Sequence, residues 1–152
     1  MPARPRTAKV FFIAILAFAA IAIAYAVWEN RPWKVPEEAK HRSNPVRPSP
    51  AALAAAKSIY TDKCANCHGD SGKGDGPDAS SYYPKPTDLA GNSATQNATD
   101  GELFYKISEG HRPMPAFQRK LTEEQRWQLV LLVRSFSQPN APSDSRPKPS
   151  TQ

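Results

Sequence analysis

The strongest constraint on this chain is the sequence CANCH, which covers residues 64–68. Cys64 and Cys67 are the only cysteines among 152 residues, and His68 follows the second cysteine directly. A structural zinc site normally needs four protein ligands, and the sequence has no second cluster of Cys and His to complete one. A thioredoxin-like pair is expected in a βαβ setting, and no strand is predicted before this motif. A disulfide across two residues would close too small a loop to add much stability, and it would leave the histidine unexplained.

The spacing C-x-x-C-H is instead the attachment signature of c-type haem. Cys64 and Cys67 can reach two vinyl positions on the same porphyrin, and His68, the next residue, is directed at the iron. The motif therefore predicts one covalently attached haem c.

Residues 69–98 support the same prediction, because they show neither helical nor strand periodicity. This stretch is rich in glycine, proline and small polar residues, and so long a structureless segment is unusual in a compact domain. With so few long apolar side chains, the protein alone would build a poor core. A large prosthetic group would supply the missing apolar mass.

Three helices are predicted in the folded part of the chain. The first has Ser49 as its cap and leads to Cys64, the second runs from Thr99 to Gly110, and the third starts at Thr122. The second and third helices open with capping boxes, whose partners are Glu102 and Gln125. The third helix carries an apolar stripe formed by Leu129, Leu132, Val133 and Phe136.

Residues 50–138 resemble the class I cytochromes c, the single-haem electron-transfer family. The resemblance rests on CANCH near the end of a first helix, a later methionine in the sequence RPMPAF, and a closing amphipathic helix. It implies an all-α fold, a small cytochrome c-like domain of three to four helices wrapped around one covalently bound haem. It also implies thioether bonds at Cys64 and Cys67, with His68 as the proximal iron ligand and a methionine as the distal one.

The resemblance implies further site residues. Tyr60 and Leu129 match positions at which the first and last helices cross beside the haem. The carbonyl of Pro77, in the sequence GDGP, matches the position that accepts the second ring N–H of the ligating histidine. Pro84 and Pro86 are the alternatives for that acceptor.

The distal ligand can also be argued from the residues present. Apart from the initiator, Met114 is the only methionine, so a thioether ligand must come from this residue. Pro113 and Pro115 restrict the backbone on both sides of it. His111 is the rival ligand, and an open coordination position is the third possibility.

The first 28 residues of the chain predict export. A basic segment at residues 1–9 precedes an uncharged apolar run at residues 10–28, which is long enough as a helix to cross a bilayer. We interpret this run as a single-pass anchor in the bacterial inner membrane, with the haem domain in the periplasm. The alternative is a signal cleaved at about Ala26, which would release a soluble periplasmic protein.

The segments that flank the domain are proline-rich. Residues 29–49 are predicted to be a tether that could span roughly 60 Å, although docking of Trp33 and Val35 onto the domain or a partner is an alternative. Residues 139–152 are predicted to be a disordered tail.

The charge distribution argues against a nucleic-acid partner. The chain has a formal net charge of +6, but residues 50–138 carry ten Lys or Arg and ten Asp or Glu. A nucleic-acid-binding domain would concentrate the positive charge in itself. The basic flanks could instead contact anionic membrane lipid.

The predicted function is one-electron transfer between a redox protein donor and acceptor of a respiratory chain, without an enzymatic activity. Two filled axial positions leave the iron no vacant site for a substrate. One alternative is a fixed subunit of a larger respiratory complex. If Met114 does not bind the iron, a ligand sensor or a small peroxidase-like enzyme is the other alternative.

Overall fold

The computed structural model describes residues 6–29 and 33–137, and its contacts divide the chain into two units, Met1–Lys34 and Val35–Gln152. Every named element within the described residues is helical, which confirms the all-α prediction. The basic segment predicted for residues 1–9 lies partly outside the described residues, and the tail predicted for residues 139–152 lies wholly outside them.

The described residues of the first unit include the apolar helix α1 (Arg6–Glu29). Its stretch Ala8–Trp28 has 21 residues of high mean hydropathy, and its large apolar side chains are exposed. At 1.5 Å per residue this stretch is about 32 Å long, close to the hydrocarbon thickness of a bilayer. The helix is therefore compatible with a single-pass anchor and with a signal sequence, because both meet the same criteria of length and composition.

The helices of the second unit are short. They are α2 (Glu37–Lys40), α3 (Pro50–Lys63), α4 (Ala65–His68), α5 (Ser93–Asn97), α6 (Asp100–Glu109) and α7 (Glu123–Phe136), with a 3-10 turn at Ala79–Ser81.

Local capping explains where the three predicted helices begin, and all three are confirmed. The side chain of Ser49 accepts the N–H of Ala52 at the start of α3. Thr99 and Thr122 form complete capping boxes at the starts of α6 and α7. Helix α6 ends at Glu109, and its C-cap residue Gly110 has a φ of 63°, in the left-handed region that favours glycine.

The core lies on both sides of α7. One cluster joins α3 to α7, and its buried members are Ala56, Tyr60, Ala65, Leu129 and Leu132. The other joins α6 to α7, and its buried members are Ala98, Leu103, Phe104, Trp127, Val130 and Val133. In the second cluster the rings of Phe104 and Trp127 stack with their centroids 4.0 Å apart. Helix α7 is therefore the element against which the rest of the domain packs.

The stretch 69–98 contains two short elements that periodicity could not reveal, the 3-10 turn and α5. The side chain of Asn92 caps α5 by accepting the N–H groups of Ala94 and Thr95. From α7, Arg134 donates to the carboxylate of Asp100 at 2.9 Å and to the carbonyls of Thr95, Gln96 and Ala98. Arg134 thus holds residues 95–100 against α7.

The structure corrects part of the predicted tether at residues 29–49. The second unit begins at Val35, and Ala39 is buried against the domain. The Asn44 side chain donates to the Trp127 carbonyl at 3.0 Å, and Val46 packs against the α6–α7 cluster. Prolines prevent a long helix in this segment, but they do not prevent a short helix and single side chains from docking.

Removing the cap of α7 should destabilise the domain. We expect Thr122→Ala to lower the free energy of unfolding by about 1 kcal/mol, because the N–H of Gln125 loses its side-chain acceptor. Thr61→Ala is the matched control, since Thr61 is exposed within α3 and alanine has the higher helix propensity. Denaturant unfolding followed by circular dichroism measures both variants. Equal stability of the two variants would contradict the prediction.

Candidate haem-binding site

The CANCH motif forms a helical turn directly after α3. The N–H of Cys64 donates to the Tyr60 carbonyl at 2.8 Å, and the N–H of His68 donates to the Cys64 carbonyl at 2.9 Å. Residues three apart in a helical turn lie on one side of it, so Cys64 and Cys67 share a side. Both thiols are free and partly buried. This arrangement suits two thioether bonds to one porphyrin.

A backbone carbonyl fixes the ring of His68. Its Nδ1 lies 3.0 Å from the carbonyl oxygen of Thr87. Because a carbonyl oxygen only accepts, Nδ1 carries the proton and Nε2 is the nitrogen with a free lone pair. Burial lowers the pKa of His68, although the hydrogen bond to Thr87 opposes this effect. A neutral imidazole with a fixed tautomer is the form that ligates a metal.

The structure corrects the prediction that the Pro77 carbonyl accepts this hydrogen bond, and the alternatives Pro84 and Pro86 do not accept it either. Pro77 is exposed, whereas the preceding Gly76 is buried against the backbone of Ala65 and Asn66 in the CANCH turn. The N–H of Gly76 donates to the Cys67 carbonyl at 3.2 Å. Gly76 therefore stabilises the CANCH turn by packing directly against its backbone.

The thiol environment does not favour redox chemistry at the cysteines themselves. Burial raises the pKa of the unmodified Cys64 thiol to about 11, with a smaller contribution from Cys67. Burial also raises the pKa of Cys67, and the charge of Asp78 adds to the effect. Reactive cysteines of redox proteins have lowered pKa values. Among the described residues there is also no group of three or more Cys, His, Asp or Glu side chains placed to hold a metal ion.

Tyr60 and Leu129 lie together in the cluster between α3 and α7, beside the partly buried Cys64. Their exposed fractions are 1% and 2%. The Tyr60 hydroxyl donates to the Gly69 carbonyl at 2.8 Å, so it ties α3 to the residue that follows His68. Both side chains therefore position the CANCH turn, and their contact with the haem stays a prediction.

Met114 lies in the loop between α6 and α7. Its N–H donates to the His111 carbonyl at 2.8 Å, and the N–H of His111 donates to the Met114 carbonyl at 3.0 Å. The two candidate distal ligands are thus the ends of one tight turn, which contains the cis peptide Arg112-Pro113. Both residues are partly exposed. The axial role of Met114 stays a prediction.

The site thus has two parts. The structure brings Cys64, Cys67 and His68 together on one turn, with Tyr60 and Leu129 beside it, and it places Met114 on a separate loop. Two thiols on one side of a turn and an imidazole with a free Nε2 fit covalent haem. Sequence reasoning missed Thr87, because any residue type can offer a carbonyl.

Comparisons with known proteins give two findings. The family model described as cytochrome c oxidase, cbb3-type, subunit III matches residues 51–133. Among solved structures, the chain is similar to one in the reducing HAO-like protein complex of Kuenenia stuttgartiensis, with 30% sequence identity and a TM-score of 0.58. That similarity covers 74% of this chain and 54% of the other, so this chain spans about half the length of its structural relative. No curated protein matches the chain.

The packing of Gly76 gives a testable prediction. A Cβ at this position would overlap the backbone carbonyl oxygens of Ala65 and Asn66, which cannot move without distorting the CANCH turn. We expect Gly76→Ala to lower the free energy of unfolding of the haem-loaded protein by about 1–3 kcal/mol, measured by denaturant titration. Gly91→Ala is the matched control, because its Cβ would meet only the side chain of Asp88. Equal stability of the two variants would contradict the close packing.

Proposed function

The chain belongs to the family described as cytochrome c oxidase, cbb3-type, subunit III, and on this premise we propose that it carries single electrons between respiratory redox proteins at the outer face of the bacterial inner membrane. A cytochrome c domain of this family transfers electrons through covalently bound haem c. The matched residues 51–133 include the CANCH turn and both candidate distal ligands.

The observation that carries the proposal is the fixed ring of His68 beside two thiols on one turn. When bound, haem iron supplies a couple between its ferric and ferrous states that exchanges one electron. The Thr87 carbonyl orients the imidazole and increases its basicity as a ligand. Tyr60 is almost completely buried beside the partly buried Cys64, so this side chain supports the attachment turn from α3.

We assign the second axial position to the thioether of Met114. An imidazole and a thioether on opposite sides would leave the iron no position for a substrate, which supports a carrier rather than an enzyme. A thioether ligand also favours a relatively high reduction potential. The balanced charge of residues 50–138 is consistent with redox protein partners and gives no support for nucleic acid.

The proposed location rests on α1. As a retained single-pass anchor, its apolar stretch Ala8–Trp28 would hold the haem domain at the periplasmic surface. Cleavage of the same stretch as a signal would release the domain into the periplasm.

A fixed subunit of a larger complex is the second candidate function. The family description is that of an oxidase subunit, and the similar solved structure is part of a protein complex. Both observations favour stable assembly with other redox proteins.

The ligand assignment is tested by two matched variants. We expect oxidised Met114→Ala to lose the near-infrared absorption that reports iron–sulfur ligation, and its reduced form to bind carbon monoxide at neutral pH. We expect His111→Ala to retain the absorption and to exclude carbon monoxide. The assignment would be wrong if the two variants behaved in the opposite way. Binding of carbon monoxide by the reduced wild type would favour a ligand sensor or a peroxidase-like enzyme.

A further inference from the structure

A cavity of about 180 Å³ lies between α2, α6 and the start of α7. Most of its lining residues are polar or charged, and none of them belongs to the CANCH turn or to residues 69–98. A cavity needs only about 10–15 Å³ to hold one water molecule, so this one has room for a small ion. The proposed attachment of haem does not account for it.

Arg126 is the buried charge of this cavity. Its exposed fraction is 8%, and among the described residues no other Lys, Arg, Asp or Glu is buried. Its Nε donates to the Thr122 carbonyl at 3.4 Å, and its Nη1 donates to the Ser108 hydroxyl. These contacts fix the guanidinium, but within the described part of the chain Nη2 has no acceptor. Since that nitrogen is not sealed in the core, it is available to a ligand in the cavity.

Arg126 also lacks a counter-ion, because it forms no ion pair with any described residue. The carboxylate of Glu123 is instead bound by Arg42 at 2.5 Å and by the indole N–H of Trp127 at 3.4 Å. Burial lowers the pKa of Arg126, and the positive charge of Arg42 adds to this effect. The negative charges of Glu123 and Glu109 oppose the shift. Buried charges in proteins are normally paired, so an anion in the cavity would supply the partner that Arg126 lacks.

A second cation borders the same cavity. The guanidinium carbon of Arg42 lies 4.6 Å from the centroid of the Phe104 ring, and that of Arg126 lies 4.7 Å from it. An anion close to both groups would reduce the repulsion between these two like charges. Arg42 and Gln118, which also line the cavity, are exposed, so a small ligand can enter from the solvent.

The lining charges indicate which kind of anion fits. Arg42 and Arg126 contribute the positive charges of the lining. Glu109 and Glu123 contribute an equal number of negative charges, so the lining has no excess positive charge to balance a divalent anion. The planar fork of a guanidinium matches the two oxygens of a carboxylate. A small monocarboxylate therefore fits this cavity better than sulfate or phosphate does.

We propose that the cavity binds a small monocarboxylate, which accepts a bidentate hydrogen bond from Arg126 and lies beside Arg42. The bound anion would join α7 to the segment that follows α2, since the two arginines come from these two parts of the chain. The site goes beyond the proposed electron transfer and does not depend on it, because neither arginine is a predicted haem ligand.

Binding is tested by NMR titration of the isotope-labelled, full-length protein in detergent micelles. Sodium acetate replaces sodium chloride at constant ionic strength, so that general screening by salt does not change. We expect a saturable shift of the Arg126 Nε–H resonance and of the Gln118 backbone amide. A titration without a saturable shift of these resonances would overturn the proposal. The haem spectrum of the same sample separates the two proposals: protein without haem contradicts the proposed function, whereas a normal haem spectrum without acetate binding contradicts only this site.

Arg126→Lys distinguishes the planar fork from its charge. Lysine keeps the positive charge but cannot form the bidentate pair, so we expect acetate to bind about tenfold more weakly. Arg119→Lys is the matched control, because Arg119 is exposed and does not line the cavity, and we expect it to bind acetate as the wild type does. Equal affinities of the two variants for acetate would overturn the assignment to Arg126.

Glu109→Gln tests the site even if Arg126→Lys fails to fold. Glu109 is an exposed residue of the lining, and loss of its negative charge should strengthen acetate binding roughly two- to fivefold. Unchanged or weaker binding would overturn the proposed position of the anion.

Sodium sulfate tests the class of ligand. We expect sulfate to bind the wild type more weakly than acetate at the same ionic strength, because its second charge would face the two glutamates of the lining. Sulfate that binds at least as tightly as acetate would overturn the choice of a monocarboxylate.

Discussion

The packing of α3 against α7 is the interaction on which the site depends. Tyr60 and Leu129 are almost completely buried where the two helices meet, and Ala56 is small enough to let them approach. Cys64 follows the last residue of α3, so the position of this helix fixes the position of the first thiol. The helical turn that continues through His68 then fixes the Cys67 thiol and the His68 imidazole relative to the Cys64 thiol. A change in the packing of α3 against α7 would therefore move Cys64, Cys67 and His68 together.

Irregular chain completes the site through backbone hydrogen bonds. The Gly69 carbonyl accepts from Tyr60, and the N–H of Gly74 donates to the His68 carbonyl at 2.8 Å. The Thr87 carbonyl accepts from the ring of His68. Positive φ values at Gly69 and Gly74 let the chain fold back over the turn. Residues 69–76, which form no helix, are therefore held in place by hydrogen bonds to the CANCH turn and to Tyr60.

The sequence predicts the parts of this protein that depend on side-chain identity. Capping boxes at Thr99 and Thr122 and the CANCH spacing can be recognised because only certain residues perform these roles. The acceptor for His68 could not be predicted, because the Thr87 carbonyl is independent of its side chain. Docking of residues 35–46 on the domain was predicted only as an alternative, through Trp33 and Val35, for a related reason. The observed contacts pair Asn44 and Lys40 with residues that are more than 50 positions away, and no local pattern specifies such pairs.

The central claim is that Cys64 and Cys67 carry one haem through thioether bonds. Trypsin cleaves after Lys63 and Lys73, so it isolates both cysteines and His68 in the peptide 64–73. Mass spectrometry of this peptide, from denatured protein matured in a host that attaches haem c, tests the claim most directly. We predict a coloured peptide whose mass is increased by one haem and whose thiols resist alkylation. A colourless peptide with two alkylated thiols, from protein that is otherwise folded, would contradict the account.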